Sequence, residues 1–149
     1  MLKYAISNVG LATPIEEIQE IVRPKTLLRQ EEVNARSTKY ILGFFNLREE
    51  KVLLYDLPDF LGLSSVSVPT SEKFEVIIAS IDRRSIGFKV NKVHGIIHAD
   101  ELMPFPEIVR VKDYFRGVVR DDGSFLQVLS FHKLMSGSRL TSLKKFLSK

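Results

Sequence analysis

Residues 40–62 have the sequence YILGFFNLREEKVLLYDLPDFLG, and residues 114–137 have the sequence YFRGVVRDDGSFLQVLSFHKLMSG. Each stretch opens with a tyrosine followed three residues later by glycine, continues through a charged turn into an apolar strand, and ends in a leucine-containing segment that stops at glycine. Tyr40 and Tyr114 are 74 positions apart, which is close to half of the 149-residue chain. A shared order of features at this spacing predicts one structural unit used twice.

The repeat extends beyond these two stretches. Three alternating apolar residues near the start return 75 positions later, as Leu2, Tyr4, Ile6 and Ile77, Ala79, Ile81. Residues 64–71, which are rich in serine and contain a proline, separate the two copies. We therefore expect a single domain over 1–149, with two similar subdomains at about 1–66 and 72–138 and a C-terminal helix at 139–148.

The hydrophobic period within each copy is mostly two. In Ile86–Val93 apolar residues alternate with polar or small ones, which predicts one strand with a buried face and a wet face. Asp82–Ser85 and Asp121–Gly123 are typical of hairpin turns. Thr13–Glu16 has the spacing of a capping box, with proline at the first helical position, and predicts a helical turn. Many short strands with frequent turns indicate an all-β barrel or sandwich.

Composition excludes several classes of protein. The sequence has no cysteine, which rules out disulfides, Cys-ligated zinc, iron–sulfur clusters and thiol nucleophiles, and fits the cytoplasm as the expected location. The first residues lack the apolar run of a signal peptide, and no stretch is apolar for the roughly 18 residues of a membrane span, so we expect no direct membrane insertion. The net charge is +4, and most cations stand beside acidic residues.

Residues with catalytic potential do not converge on a predicted site. His94 and His98 lie in a predicted strand, where a spacing of four places their rings roughly 13 Å apart, too far to share an ion. The sequence contains no G-x-S-x-G elbow, Walker loop or G-x-G-x-x-G. Asp121 and Asp122 precede a glycine and are typical of a turn. We therefore expect no enzyme, no metal and no cofactor, and interpret the chain as a binding module.

The segment from Gly43 to Gly62 resembles the signature of CheW-type chemotaxis coupling proteins. In that family a G-x-x-N-L-R-G turn is followed by an apolar strand, Asp-Leu, and a short segment ending in Leu-Gly. Asn46-Leu47-Arg48 and Asp56-Leu57 match that signature here. The similarity continues through further stretches that bring its coverage to nearly the whole chain, namely Ile15–Ile21, Ile86–Val93 and Tyr114–Met135.

The resemblance implies an all-β fold of two five-stranded SH3-like β-barrels in tandem, with short helical turns and a C-terminal helix. It implies a non-catalytic adaptor in signal transduction that bridges the tip of a methyl-accepting chemoreceptor to the regulatory domain of the histidine kinase CheA. Some of Ile15, Ile18 and Ile21 are then expected to line an apolar receptor groove, Ile15 and Ile18 foremost, with Glu20 and Arg48 at its polar rim. Kinase-binding residues stay unassigned.

Three residues depart from the family pattern. Glu49 stands where the family has glycine, so the turn at this point either avoids a positive φ or is strained. Asn91 replaces a common aspartate, and Gln127 interrupts an otherwise apolar strand.

The residues leave two other functional classes open. A nucleic-acid-binding tandem barrel would use the basic tail of Lys144, Lys145 and Lys149, although three lysines make a thin footprint for phosphate and we expect no nucleic acid. A catalytic domain would have to assemble its site from Asp56, Asp100 and His98, for which the sequence offers no geometric support.

Overall fold

The computed structural model describes residues 1–23, 40–63, 74–99, 101–106, 108 and 111–147. The strands within these ranges are β1 (Leu2–Ile6), β2 (Val9–Thr13), β3 (Ile18–Val22), β4 (Ile41–Leu47), β5 (Glu50–Tyr55), β6 (Glu75–Ile81), β7 (Arg84–Val90), β8 (Lys92–Ile96), β9 (Phe115–Asp121) and β10 (Ser124–Leu129). The helices are α1 (Leu57–Phe60), α2 (Phe131–Leu134) and α3 (Gly137–Leu147), and a 3₁₀ turn covers Ile15–Glu17.

The strands form two five-stranded sheets. Sheet A has the order β8-β1-β2-β10-β9, and sheet B has the order β3-β6-β7-β5-β4. Neighbouring strands are antiparallel except for one parallel pair in each sheet, β2 with β10 and β5 with β7. The expected all-β architecture of two five-stranded units is confirmed.

Each sheet is assembled from both copies of the repeat. The β1–β2 hairpin of the first copy joins β8, β9 and β10 of the second, while the β6–β7 hairpin of the second copy joins β3, β4 and β5 of the first. The division of the chain into 1–66 and 72–138 therefore does not coincide with the division into sheets. The chain crosses from one sheet to the other between β2 and β3 and again between β7 and β8.

The pairing register repeats together with the sequence. Residue pairs that correspond at an offset of 74 or 75 are Leu2–Thr13 with Ile77–Phe88, Ile18–Ala79 with Val93–Tyr4, and Gly43–Leu54 with Gly117–Val128. The two sheets are thus built to the same plan, which explains the internal similarity read from the sequence.

Tyr40 and Tyr114, the first residues of the two quoted stretches, each anchor the start of a short helix. The carbonyl oxygen of Tyr40 accepts a hydrogen bond from the N–H of Asp56 at 2.6 Å, and that of Tyr114 accepts one from the N–H of Ser130 at 2.8 Å. The side chains of Asp56 and Ser130 in turn accept the backbone N–H three residues further on, which caps α1 and α2. The same capped corner therefore follows β5 and β10.

Gly43 and Gly117, which follow the first tyrosine of each quoted stretch by three residues, lie at β-bulges. Gly43 has φ 149° and Gly117 has φ 150°, a region that favours glycine. At Gly117 a β carbon would lie 2.5 Å from the carbonyl oxygen of Met103, which pairs with Val118 along the outer edge of β9. The chain at Met103 can therefore approach β9 this closely only because residue 117 is glycine.

Among the residues that the structure describes, apolar side chains pack into three clusters. The largest lies between the sheets, where the rings of Phe88 and Phe131 stack with their centroids 4.3 Å apart. The two smaller clusters cover the opposite faces and consist of Phe45, Val52, Leu54, Val76 and Ile78 in sheet B and of Ala12, Val119, Leu126 and Val128 in sheet A. Burial on both faces explains why β6 is almost continuously apolar rather than strictly alternating.

Asn91 ends a strand that the sequence predicted to continue from Ile86 to Val93. The N–H of Asn91 donates to the carbonyl oxygen of Ala5 at 3.1 Å, and its side-chain oxygen accepts the N–H of Ser7 at 2.7 Å. These contacts hold the crossover from β7 to β8. The prediction of one strand was wrong because the alternation of buried and exposed residues continues on both sides of the crossover.

The helical predictions differ in detail from the structure. The capping box predicted at Thr13 does not form, because the hydroxyl of Thr13 donates to the carbonyl oxygen of Leu129 at 2.8 Å, and Pro14 precedes the 3₁₀ turn instead of opening it. Since that hydroxyl proton is used, the hydroxyl of Tyr4 donates the 2.8 Å hydrogen bond to Thr13. The C-terminal helix begins at Gly137, two residues before its predicted start.

Candidate partner-binding surfaces

Glu20 and Arg48 are brought together at the seam of sheet B. Glu20 lies on β3 and Arg48 lies in the turn between β4 and β5, and β3 and β4 are the two edge strands of this sheet. The guanidinium of Arg48 donates to the carboxylate of Glu20. The side chain of Arg48 is 70% exposed and that of Glu20 is 23% exposed. The pair therefore links the two edges of one barrel at a position that a partner can reach.

The turn that carries Arg48 keeps the left-handed geometry expected for glycine. Arg48 has φ 47° and Glu49 has φ 69°, which is the combination found in a two-residue hairpin turn with the twist of the flanking strands. At the corresponding turn of sheet A, Asp122 has φ 46° and is followed by Gly123 with φ 85°. Glu49 therefore occupies a strained position where the other copy and the family pattern have glycine.

The isoleucines expected at the receptor groove differ in exposure. Ile15, in the 3₁₀ turn, is 43% exposed, and Ile21, on β3, is 39% exposed. Ile18 is partly buried and packs against the main core between the sheets. A polar substitution at Ile18 would thus disturb the core, whereas Ile15, just before β3, and Ile21, on β3, offer exposed apolar side chains. We call Ile15, Glu20, Ile21 and Arg48 the β3 surface.

A carboxylate from the same turn fixes Ile15 in space. Glu17 accepts hydrogen bonds from the hydroxyl of Ser130 at 2.9 Å and from the N–H of His132 at 3.0 Å. Both partners belong to the start of α2, more than a hundred residues away in the chain. The crossover from β2 to β3 is therefore tied to the second copy of the repeat, which positions the β3 surface.

A second exposed apolar site lies on sheet A and was missed by the sequence reasoning. Phe125 on β10 is 58% exposed, and the guanidinium of Arg120 lies 5.5 Å from the centre of its ring. The two residues pair directly across β9 and β10. The sequence did contain a signal for this site. Leu126 and Val128 alternate on the buried face of β10, which puts the aromatic residue at position 125 on the exposed face. We call Phe125 and Arg120 the β10 surface.

Of the three residues considered for a catalytic site, Asp56 has a structural role as a helix cap. Burial raises the pKa of the Asp56 carboxyl, which is opposed by the N–H of Asp59 that it accepts as a helix cap. His98 is exposed, and Asp100 lies outside the described residues. In the part of the chain that the structure describes, no group of three His, Asp or Glu residues could hold a metal ion.

The basic tail is only partly within the described residues. The amine of Lys144 lies 2.5 Å from a carboxylate oxygen of Asp82 in the β6–β7 turn, so this lysine is paired within the chain. The side chains of Lys145 and Lys149 lie outside the described residues.

These features define a domain of two SH3-like barrels that share a core and carry exposed apolar residues on each barrel. The chain belongs to the CheW-like domain family, whose model matches residues 1–139. Over 110 residues it is 26% identical to the chemotaxis protein CheW of Treponema pallidum (strain Nichols). The matched region makes up 70% of this chain and 65% of that protein. The chain thus spans about two thirds of the length of that relative.

A solved structure shares the fold. The scaffolding protein TtCheW from Thermoanaerobacter tengcongensis superposes with a TM-score of 0.75 at 21% sequence identity, over 93% of this chain and 92% of that one. Among the described residues, no helix is long and apolar enough to cross a membrane.

Proposed function

We propose that this chain is a non-catalytic coupling protein of a cytoplasmic chemosensory system, which links the tip of a methyl-accepting chemoreceptor to the regulatory domain of the histidine kinase CheA. Membership of the CheW-like family supports the chemotaxis role. The observation that carries the bridging role is that both sheets carry exposed apolar residues, among them Ile21 at the β3 surface on sheet B and Phe125 at the β10 surface on sheet A. A bridging protein needs two such surfaces.

The β3 surface is assigned to the receptor. It combines the exposed side chains of Ile15 and Ile21 with an ion pair at its edge, and apolar anchors surrounded by polar groups are typical of transient protein interfaces. Arg48 and Glu20 would form the polar rim. This assignment agrees with the family resemblance, which places Ile15, Ile18, Glu20 and Arg48 near the receptor.

The β10 surface is assigned to the kinase. An exposed phenylalanine with an arginine over its ring has the composition of a protein interface, since interfaces are enriched in aromatic residues and arginine. The CheA regulatory domain is expected to have the same double-barrel fold, so a barrel-to-barrel contact through a sheet face is the natural mode. The β10 surface is available for that contact.

The test uses one variant for each surface and one matched control. Ile15→Asp is expected to weaken binding of a receptor-tip fragment and to leave binding of the CheA regulatory domain unchanged. Phe125→Ala is expected to do the reverse. Lys51→Ala, at the position equivalent to Phe125 in the other barrel, is the control and is expected to bind both fragments like the wild type.

Binding is measured by calorimetry with purified fragments at one fixed ionic strength, since salt screens exposed charges. Variants must first show the wild-type free energy of unfolding within about 1 kcal/mol, as expected for surface positions. If Ile15→Asp and Phe125→Ala bind both fragments as tightly as the wild type, the two surfaces are wrongly assigned. If the wild-type protein binds neither fragment, the proposed function itself is wrong.

A further inference from the structure

Helix α3 lies across both barrels at the end of the domain. Leu143 is buried in the core between the sheets, and Leu140 packs against that core. Lys144 pairs with Asp82 in the β6–β7 turn of sheet B. Arg139 approaches Asp113, just before β9 of sheet A, at 4.0 Å. The helix therefore touches elements of both sheets.

Four aromatic residues pack together at the edge of the main core, where Arg139 from the first turn of α3 covers two of them. These residues are Tyr40, Tyr55, Phe60 and Tyr114, whose ring centroids form a chain with neighbouring distances of 5.3–6.1 Å. Three of the four tyrosines of the sequence are among them. We call these four residues the aromatic recess.

The recess holds a cation from the same chain. The guanidinium of Arg139 lies 5.4 Å from the ring centre of Tyr114 and 5.8 Å from that of Phe60. Its Nε also donates to the carbonyl oxygen of Leu134 at 2.5 Å, at the end of α2. Aromatic faces attract cations because of the ring quadrupole, and arginine in addition stacks its flat guanidinium on them. With α3 in place, Tyr114 is only 7% exposed.

The ion pairs between α3 and the barrels are weak. Lys144 and Asp82 are each 48% exposed, and Asp113 is 69% exposed, so solvent screens both pairs. The helix opens at Gly137, which has φ 61° and can absorb a change of direction. Besides these ion pairs, the described attachments of α3 are Leu140, Leu143 and the contacts of Arg139, and a terminal element with few attachments belongs to the part of a fold that opens locally before the rest.

We propose that the aromatic recess is a binding site for an arginine side chain presented by a partner protein, and that α3 is a strap that occupies this site with Arg139 until the partner displaces it. The present occupant shows which chemistry the recess accepts. Asp113, which lies next to Tyr114 in the chain and approaches Arg139, would border the opened site with negative charge, which favours a basic segment. This site uses residues distinct from the β3 and β10 surfaces, so it does not depend on the proposed function.

The test vacates the recess and offers a free competitor. A capped tetra-arginine peptide is titrated into the full chain and into Arg139→Ala, while the ring signals of Tyr114 and Phe60 are followed by NMR. In Arg139→Ala the ring signals are expected to move, with an apparent dissociation constant about fivefold lower than in the wild type, because an internal cation–aromatic competitor has been removed. Capped tetra-glutamate is expected to move neither signal.

Two variants make the result specific. Lys133→Ala removes one positive charge from an exposed position on the neighbouring helix and is expected to bind tetra-arginine like the wild type. Tyr114→Leu combined with Arg139→Ala is expected to lose the gain in affinity. Hydrogen exchange of the sheet amides is the check that each variant remains folded.

The proposal is overturned if the rings of Tyr114 and Phe60 do not respond to tetra-arginine in Arg139→Ala. It is also overturned if Lys133→Ala tightens binding as much as Arg139→Ala does, since the effect would then come from net charge. Equal affinities of the wild type and Arg139→Ala would show that Arg139 does not occupy the site.

Discussion

Exchanging the charges of Glu20 and Arg48 separates the two roles that their ion pair can have. The pair joins the edge strands of sheet B and, in the proposed function, also faces the receptor. Arg48→Glu alone places two carboxylates opposite each other. The double variant Glu20→Arg with Arg48→Glu restores an ion pair across the seam but presents inverted charges to a partner.

The size of the stability effect follows from exposure. Arg48 is 70% exposed and Glu20 is 23% exposed, so the pair contributes about 0.2–1 kcal/mol to the free energy of unfolding. Reversing one charge adds a repulsion of similar size, which gives a loss of roughly 0.5–2 kcal/mol for Arg48→Glu. The double variant is expected to recover most of this loss. Urea unfolding at two ionic strengths measures it, and the loss should shrink at the higher salt concentration.

Receptor binding is expected to respond differently. Removing a rim charge changes affinity little, but reversing it puts a carboxylate where the partner is complementary to a cation, so Arg48→Glu should weaken binding of a receptor-tip fragment by more than about tenfold. The double variant should remain equally weak, because its charges no longer match the partner. If the double variant restores both stability and receptor affinity, the pair acts within the barrel only and its assignment to the receptor rim is refuted.

Three further predictions concern the turn, a buried carboxylate and the strand exchange. Glu49→Gly is expected to raise the free energy of unfolding by about 1 kcal/mol, because glycine removes the strain of a φ of 69°, and an unchanged urea midpoint would contradict this. Burial alone would raise the pKa of Glu75, but the N–H of Val93 at 2.8 Å and the guanidinium of Arg23 lower this pKa below the ordinary 4.5. The ionised carboxylate therefore stabilises the fold above pH 4.5, and this stabilisation is lost as the pH falls below 4.5 through the lowered pKa. Glu75→Gln should therefore be less stable than the wild type at pH 7, and the difference should narrow in acid unfolding curves below pH 4.5; a constant difference would argue against the linkage. Cutting the chain between Leu63 and Phe74 should give halves that fold when co-expressed but not singly, as followed by thermal melting in circular dichroism, because each sheet needs strands from both; a cooperatively melting single half would disprove the exchange.

The sequence was most informative where a pattern is explicit in the chain. The repeat at an offset of 74 or 75 and the charged hairpin turns are found in the structure as predicted, whereas the alternation over Ile86–Val93 and the capping box at Thr13 were misleading because long-range contacts of Asn91 and Thr13 decide the structure there. Gly43 and Gly117 could be singled out as matching positions, although their shared role at a bulge required the coordinates.

The exchange of hairpins between the sheets could not be read from the same patterns. The β1–β2 hairpin and the β6–β7 hairpin have matching register and matching alternation, so either one fits the three strands of either copy. The choice is made by the crossovers, namely the 3₁₀ turn held by Glu17 and the side-chain contact of Asn91, and both are long-range interactions. The exposed Phe125 was missed for a related reason, since an aromatic residue in a strand is normally counted as core.

Strand exchange restricts how a signal can pass through this domain. In the proposed adaptor role the receptor contacts sheet B and the kinase contacts sheet A, and the two sheets share one large core and strands from both halves of the chain. Separating the barrels would require the packing of Phe88 on Phe131 to open, and both crossovers are pinned by hydrogen bonds. Opening such a core costs far more than tilting the whole domain. A shift of the receptor should therefore reach the kinase as a rigid reorientation of both surfaces together, and only the displacement of α3 proposed above would add an independent movement.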